Sequence, residues 1–410
     1  MTIGLLTLAV FTLAFSMLAK RLSSTVVTAP MIFIALGYFF HETGLLPQDG
    51  AEAALHIVAE IALIILLFLD AAQIDLGALK KSSVWPARML LIGLPLAIGF
   101  GTIAAWFFLP GWPWVALALV AALLAPTDAA LGQSVVANPL VPERVRRTLT
   151  VESGLNDGMA LPAVLLFASL TASAMGQEDR NWLLFGALQL VLGPIVGIIA
   201  GYAGGKLLMY SHRQGLTSQT FEGIGALALA GAAYLAAGEV GGNGFIASFV
   251  AGLTFGNILK GQCKFVFEFT ESEGQLLIWA AFFLLGLALV PEVISELTWP
   301  ILALIFASLF IVRPLAIWIS LIGTGAAATT RLFLGWFGPR GLATALFALL
   351  VVPQIKHEYA EIILVIAINA VWISALLHGL SAAPGAKFYS KLIADKGHCE
   401  ETQPMPKAFE

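Results

Sequence analysis

From residue 3 to residue 380 the chain is a succession of apolar stretches separated by short polar breaks. Most are about as long as the roughly 20 residues a helix needs to cross a hydrocarbon core about 30 Å thick. Thirteen can be marked, at 3–19, 24–41, 54–70, 87–109, 113–137, 147–175, 182–210, 218–238, 242–256, 270–290, 297–321, 331–353 and 358–380. Lipid offers no hydrogen bonds to a backbone, so stretches of this kind read as helices that satisfy their own N–H and C=O groups. Composition agrees, since 59% of the 410 residues are hydrophobic and only 11% charged, against about 25% in a soluble domain. The expected fold is an all-α polytopic membrane protein of about 13 transmembrane helices.

Lys and Arg orient it. Seventeen of the 21 fall in odd-numbered loops or the tail: Lys20, Arg21, Lys80, Lys81, Arg88, Arg144, Arg146, Arg147, Lys206, Arg213, Lys260, Lys264, Arg331, Lys387, Lys391, Lys396 and Lys407. Only Arg180 and Lys356 fall in even loops, and Arg313 and Arg340 lie within spans. The asymmetry predicts an N-terminus outside, a cytoplasmic tail, and an odd number of helices in the cell (plasma or inner) membrane. The first span has its positive charges after the apolar run, so it reads as retained and not as a signal peptide. Cys263 and Cys399 fall on the reducing side without metal-ligand company and read as incidental.

Ionisable side chains inside the spans are the next signal, because each costs roughly 3 kcal/mol or more in lipid and marks a functional candidate. Asp128 in Ala125-Pro126-Thr127-Asp128 and Asp157 in Glu152-Ser153-Gly154-Leu155-Asn156-Asp157-Gly158 lie on either side of the charged break 141–147. Each is about 14 to 15 residues from the middle of that break, which at about 1.5 Å per residue returns both to one depth near the midplane. Ser153 and Asp157 share one helix face, Glu152 and Asn156 the neighbouring one. Gly154 and Gly158 form a small-xxx-small pair that lets another helix approach. Arg313 needs a partner, and Glu152 is the acid assigned to it; the alternative is a side chain snorkelling to the surface. Asp70 ends the third span, either as an interfacial cap or as a carboxylate on an ion path.

Two prolines interrupt spans at matching places. Pro126 precedes Asp128 in span five, and Gly338-Pro339-Arg340-Gly341 breaks span twelve. A proline inside a helix removes one hydrogen bond and clashes with the carbonyl four residues back. The freed groups are tolerable at membrane depth only where they line a cavity or meet other protein. Spans one to six (1–175) and eight to thirteen (216–380), joined by span seven (176–215) and followed by a tail (381–410), then read as two inverted six-helix repeats whose interrupted helices cross at the midplane. Two unrelated kinks are the alternative.

Pro-Thr-Asp at 126–128, Glu-Ser-x-x-Asn-Asp-Gly at 152–158, Gly-x-x-Gly-Phe-Ile-Ala at 241–247, Arg-Pro at 313–314 and Pro-Arg-Gly at 339–341 resemble the monovalent cation/proton antiporters, in the electroneutral branch that includes sodium/proton exchangers. The resemblance runs through spans two to thirteen; Ala129 after Asp128 and Gly154 in place of a frequent Leu depart from the pattern. It implies a secondary transporter, not an enzyme, exchanging a monovalent cation (Na+ or Li+, with K+ the alternative) for a proton, one for one. It implies no cofactor, no nucleic acid, and a homodimer in the bilayer. Asp128 and Asp157 would bind cation or proton, helped by Ser153 and Thr127. Asn156 would brace Thr127, Glu152 would pair with Arg313, Arg340 would offset half-helix carbonyls in span twelve, and Asp70 would lie near the ion. The chemistry fits without the family: a hard cation takes oxygen ligands, and two close carboxylates in a poorly solvated site cannot both stay charged without a counter-cation. An intramembrane aspartyl protease lacks its second motif glycine here, and a cation channel lacks a continuous polar path.

Overall fold

The structure, a computed structural model, describes residues 2–22, 26–47, 50–77, 84–174, 182–259, 264–394 and 399–402. Lys80, Lys81, Arg180, Lys260, Cys263, Lys396 and Lys407 lie outside the described residues. Among the described residues all the regular structure is helical, and each of the thirteen apolar stretches is helical over most of its length. They are α1 (Thr2–Leu22), α2 (Ala29–Thr43), α3 (Ala51–Ala72), α4 (Val84–Phe108), α5a (Trp114–Leu123) with α5b (Ala129–Val136), and α6 (Glu143–Ala174). Then come α7 (Trp182–Arg213), α8 (Gln219–Glu239), α9 (Gly244–Leu259), α10 (Lys264–Ala288), α11 (Trp299–Ser320), α12a (Ala328–Trp336) with α12b (Leu342–Val351), and α13 (His357–Ala394). Among the described residues eight helices are by themselves long and apolar enough to cross a membrane, and four further apolar helices are shorter.

Small residues bring these helices together. Gly193, Gly197 and Gly201 form a stripe at every fourth position of α7, and a Cβ at each would collide with α9 between Asn243 and Thr254. On its other side α9 meets α3, with Gly252 against the Phe68 carbonyl and Gly256 against that of Ala72. Gly37 of α2 and Gly286 of α10 make the same kind of mutual contact. In lipid such close approach supplies van der Waals attraction where no hydrophobic driving force exists.

Two pairs of irregularities match in position. Helices five and twelve are each split by an unwound segment containing a proline. Helices four and eleven each contain a π-helical turn, Met89–Gly93 and Ser308–Val312, with Pro95 and Pro314 at the second residue beyond it. A proline cannot donate to the carbonyl a turn behind it, and a π turn is one way to absorb the mismatch.

The ends of the odd-numbered connections meet at one pole of the bundle. Arg144 at the start of α6 pairs with Glu400 of the tail and lies 4.4 Å over the Trp85 ring of α4. Trp85 Nε1 donates to the Thr324 carbonyl at 3.2 Å. The buried Glu401 accepts from the Ala327 N–H (2.9 Å) and the Thr330 hydroxyl (2.7 Å) at the start of α12a. The last helix also runs further than its apolar pattern predicts. It continues to Ala394 instead of ending near residue 380, because Ala382, Ala386, Tyr389 and Ile393 form a buried stripe, with Tyr389 stacked on Phe333 of α12a.

Candidate cation site at the crossing of two broken helices

The break in α5 follows from Pro126, and the chain is unwound from Leu124 to Asp128. Asp128 closes the break in two ways. Its backbone N–H donates to the Pro339 carbonyl of the other broken helix at 2.9 Å. Its side chain accepts the Leu131 N–H of α5b at 3.3 Å and the Leu342 N–H of α12b at 2.9 Å. One carboxylate thus caps two helix N-termini, where orphan N–H groups and the helix dipoles favour negative charge. Gly341 is required for this approach, since any Cβ there would overlap the Asp128 carboxyl group.

The opposite ends are neutralised by Arg340. Buried to 1% exposure, its Nη1 donates to the carbonyls of Ala125 (3.3 Å), Pro126 (3.3 Å) and Gly338 (3.2 Å). The sequence placed Arg340 against carbonyls of span twelve; two of its three partners belong instead to the break in α5, because the two breaks cross.

Helix α6 supplies a buried polar network beside the crossing. Arg313, the first residue after the π turn of α11, engages both oxygens of Glu152, at 3.1 and 3.2 Å, in the parallel two-bond geometry that suits a guanidinium. Asn156 Nδ2 donates to Glu152 Oε1 (3.0 Å) and to Thr127 Oγ1 (3.2 Å). Thr127 donates to Glu152 Oε2 at 3.2 Å and lies 3.2 Å from Ser153 Oγ. Both expected pairings, Glu152 with Arg313 and Asn156 with Thr127, are therefore present.

A cavity of about 200 Å³ lies on the other side of the crossing, lined by Asp70 of α3 and Gln73 just beyond its end, Asp128, Thr150 and Asp157 of α6, and Gln275 of α10. Asp70 packs beside Gly154, so it is part of this wall and not only a cap at a helix end. Gly158, the other half of the small pair, receives the Phe249 ring of α9. Asp157 Oδ1 is buried and takes no hydrogen bond from the described residues. Ser153 and Thr127 are not among the described lining residues; their hydroxyls are turned to the Glu152 network. The lining residues of α3, α5b and α6, and Gln275 of α10, belong to the halves of those helices that lead to odd-numbered connections.

Two buried residues near the crossing escaped the sequence reading. Ser374 and His378 of α13 hydrogen-bond the unwound segment of α12, Ser374 to the Arg340 N–H (2.7 Å) and His378 to the Trp336 carbonyl (2.9 Å). A histidine in an apolar span carries the same signal as an intramembrane carboxylate, and that rule would have found His378.

Two unwound segments crossing inside an all-helical membrane bundle, with half-helix ends compensated by one acid and one base beside a carboxylate-lined cavity, define a secondary transporter of the broken-helix type. The chain belongs to the transmembrane sodium/hydrogen exchanger family, whose sequence model matches residues 5–387. It is 29% identical over 401 residues to the K(+)/H(+) antiporter NhaP of Alkalimonas amylolytica, covering 95% of this chain and 67% of that protein. It is 30% identical over 368 residues to the K(+)/H(+) antiporter NhaP2 of Shewanella sp. strain ANA-3, covering 87% of this chain and 62% of that one. The chain thus spans about two thirds of the length of these relatives. Its fold is similar to that of the sodium proton antiporter MjNhaP1 from Methanocaldococcus jannaschii at pH 8, with a TM-score of 0.77 and 19% identity over 95% of this chain and 99% of that one.

Proposed function

We propose that the chain exchanges one monovalent cation for one proton at Asp157, with Asp128 as the fixed charge beside it. The observation that carries this is the unequal bonding of two carboxylates on one cavity. Asp128 is tied to two helix N-termini, while Asp157 keeps a buried oxygen without a hydrogen bond. A group left open in a pocket of carboxylates must take a cation or a proton, and the two compete for it. Asp70 adds negative charge to the same wall, and the Glu152–Arg313–Asn156–Thr127 network holds α6 against the broken helix without contributing net charge.

Charge counting makes the exchange electroneutral. Asp128 and Asp157 with one cation carry the same charge as the pair with one proton, and Asp70 and Arg340 are common to both states. The matched breaks and matched π turns support two inverted six-helix repeats, with 1–175 and 216–380 as the copies. The positive charges of the odd-numbered connections support a cytoplasmic side for the helix halves that line the cavity. A homodimer is part of the same reading.

Na+ and Li+ are proposed as cargo because carboxylate oxygens suit small hard cations; K+ is the second reading, favoured by the names of the two relatives above. Everted vesicles loaded with a proton-sensitive dye, given NaCl, LiCl and KCl in turn, test both. Proton movement on adding one of these salts supports the reading, and no movement with any of them, from vesicles that hold the folded protein, refutes it.

A further inference from the structure

The break in α12 runs from Phe337 to Gly341, and its exposed backbone groups must be satisfied by something other than its own helix. Asp128 takes care of the Pro339 carbonyl and the Leu342 N–H. The flanking groups are held from α13. Ser374 Oγ accepts the Arg340 N–H at 2.7 Å, and His378 Nε2 lies 2.9 Å from the Trp336 carbonyl, which also receives the Gly338 N–H at 2.8 Å.

We propose that Ser374 and His378 are positioning residues of the cation site, which hold both sides of the α12 break so that Leu342 and Pro339 meet Asp128 in register. The two residues are one helical turn apart and are joined to each other, Ser374 Oγ to His378 Nδ1 at 3.1 Å. Each ring nitrogen also faces a carbonyl, Nε2 that of Trp336 and Nδ1 that of Ser374 itself at 2.9 Å, so the ring donates to whichever of the two its proton faces, while the Ser374 hydroxyl oxygen accepts from the Arg340 N–H. The ring is fixed as well as bonded: it stacks on the Trp336 indole, with centroids 4.8 Å apart and planes 21° apart. Trp336 Nε1 in turn donates to Ser381 Oγ on α13 at 3.0 Å. Both residues are at least 98% buried and neither lines the cavity, so they act through the α12 break and do not touch the cation.

This inference rests on Asp128 being part of the site, and the test separates the two. Purified protein in proteoliposomes is assayed for exchange rate against the concentration of the cation to which the wild type responds. The variants are Ser374→Ala, Ser374→Thr, His378→Phe and His378→Gln, with Asp157→Ala in parallel. Loss of one register-setting hydrogen bond in Ser374→Ala or His378→Phe should raise KM about fivefold with Vmax within about twofold. The Thr and Gln variants, which keep a hydroxyl and an Nε2-like donor, should return KM to near the wild-type value. An unchanged KM in folded Ser374→Ala and His378→Phe overturns the inference while leaving the site assignment intact. Failure of both to fold overturns it too, since the residues would then be supports of the whole bundle. Exchange retained in Asp157→Ala would instead overturn the site assignment.

Discussion

The Asp128 carboxylate, on one broken helix, accepts the N–H of Leu342 at the first residue of the other, at 2.9 Å. Its second oxygen accepts the Leu131 N–H of its own half-helix. The acid nearest the crossing is therefore a structural cap and a site charge at once, and the two roles respond to different substitutions.

Asp128→Ala removes the acceptor for two helix N-termini, each cap being worth about 1 kcal/mol. Exchange should be lost and the melting temperature lowered. Asp128→Asn keeps a carbonyl acceptor for one of the two N–H groups, so it should recover part of the stability and none of the exchange. Thermal melts of the purified variants alongside dye assays check this; equal melting of Ala and wild type would show that the caps contribute nothing.

Removing either partner of the Glu152–Arg313 pair leaves a buried charge alone, at a cost of about 3 to 5 kcal/mol. Glu152→Gln and Arg313→Gln should each reduce yield and melting temperature sharply. The double variant should be milder than the sum of the singles, and strictly additive losses in a melting series would contradict the pairing.

The pole of the bundle offers a pH test outside the membrane spans. Burial raises the Glu401 carboxyl, but the Thr330 hydroxyl and the Ala327 N–H outweigh it and hold the group below its usual 4.5. A depressed folded value means that its contribution is present above 4.5 and is lost as pH falls through the lower folded value. Glu401→Gln should therefore melt below wild type at neutral pH, and the gap should close in acid. A gap that persists unchanged in acid would show that the carboxylate's charge is not what ties the tail to α12a.

Much of the crossing was legible because charge and proline are costly in an apolar span. Asp128, Asp157, Glu152, Arg313 and Arg340 stand out for that reason, and Glu152 is the acid for Arg313 because it lies off the Ser153/Asp157 face of its helix. His378 is legible by the same rule, as an ionisable group in an apolar span, whereas the Ser374 hydroxyl gives no such signal. That Arg340 serves α5 more than α12 depends on the crossing itself, which no local pattern encodes. The extension of α13 was hidden by Ser381, Pro384 and Gly385, which look like a helix end, while the stripe from Ala382 to Ile393 reveals its meaning only against Phe333 and Phe337. The resemblance implies Ser153 and Thr127 as helpers at the ion, and the structure adds a contact that spacing does not encode: the Thr127 hydroxyl donates to Glu152 and lies beside that of Ser153.

Electroneutral exchange makes a further measurable statement. With ion gradients fixed in proteoliposomes and Na+ or Li+ as substrate, imposing a potential with K+ and valinomycin should leave the equilibrium gradient unchanged. An unbalanced charge would contribute about 2.3 kcal/mol per 100 mV, a shift of about fiftyfold that would show more than one proton moving per cation. Raising proton concentration should raise the apparent KM for the cation with little change in Vmax.

The central claim is that Asp157 is where cation and proton compete, and its most direct test is Asp157→Ala in proteoliposomes containing a pH-sensitive dye. Its Oδ1 takes no hydrogen bond from the described residues, so the variant should purify folded and melt near wild type. The account predicts no cation-driven proton movement at any concentration of Na+, Li+ or K+ to which the wild type responds. Exchange at the wild-type rate in that variant would contradict it.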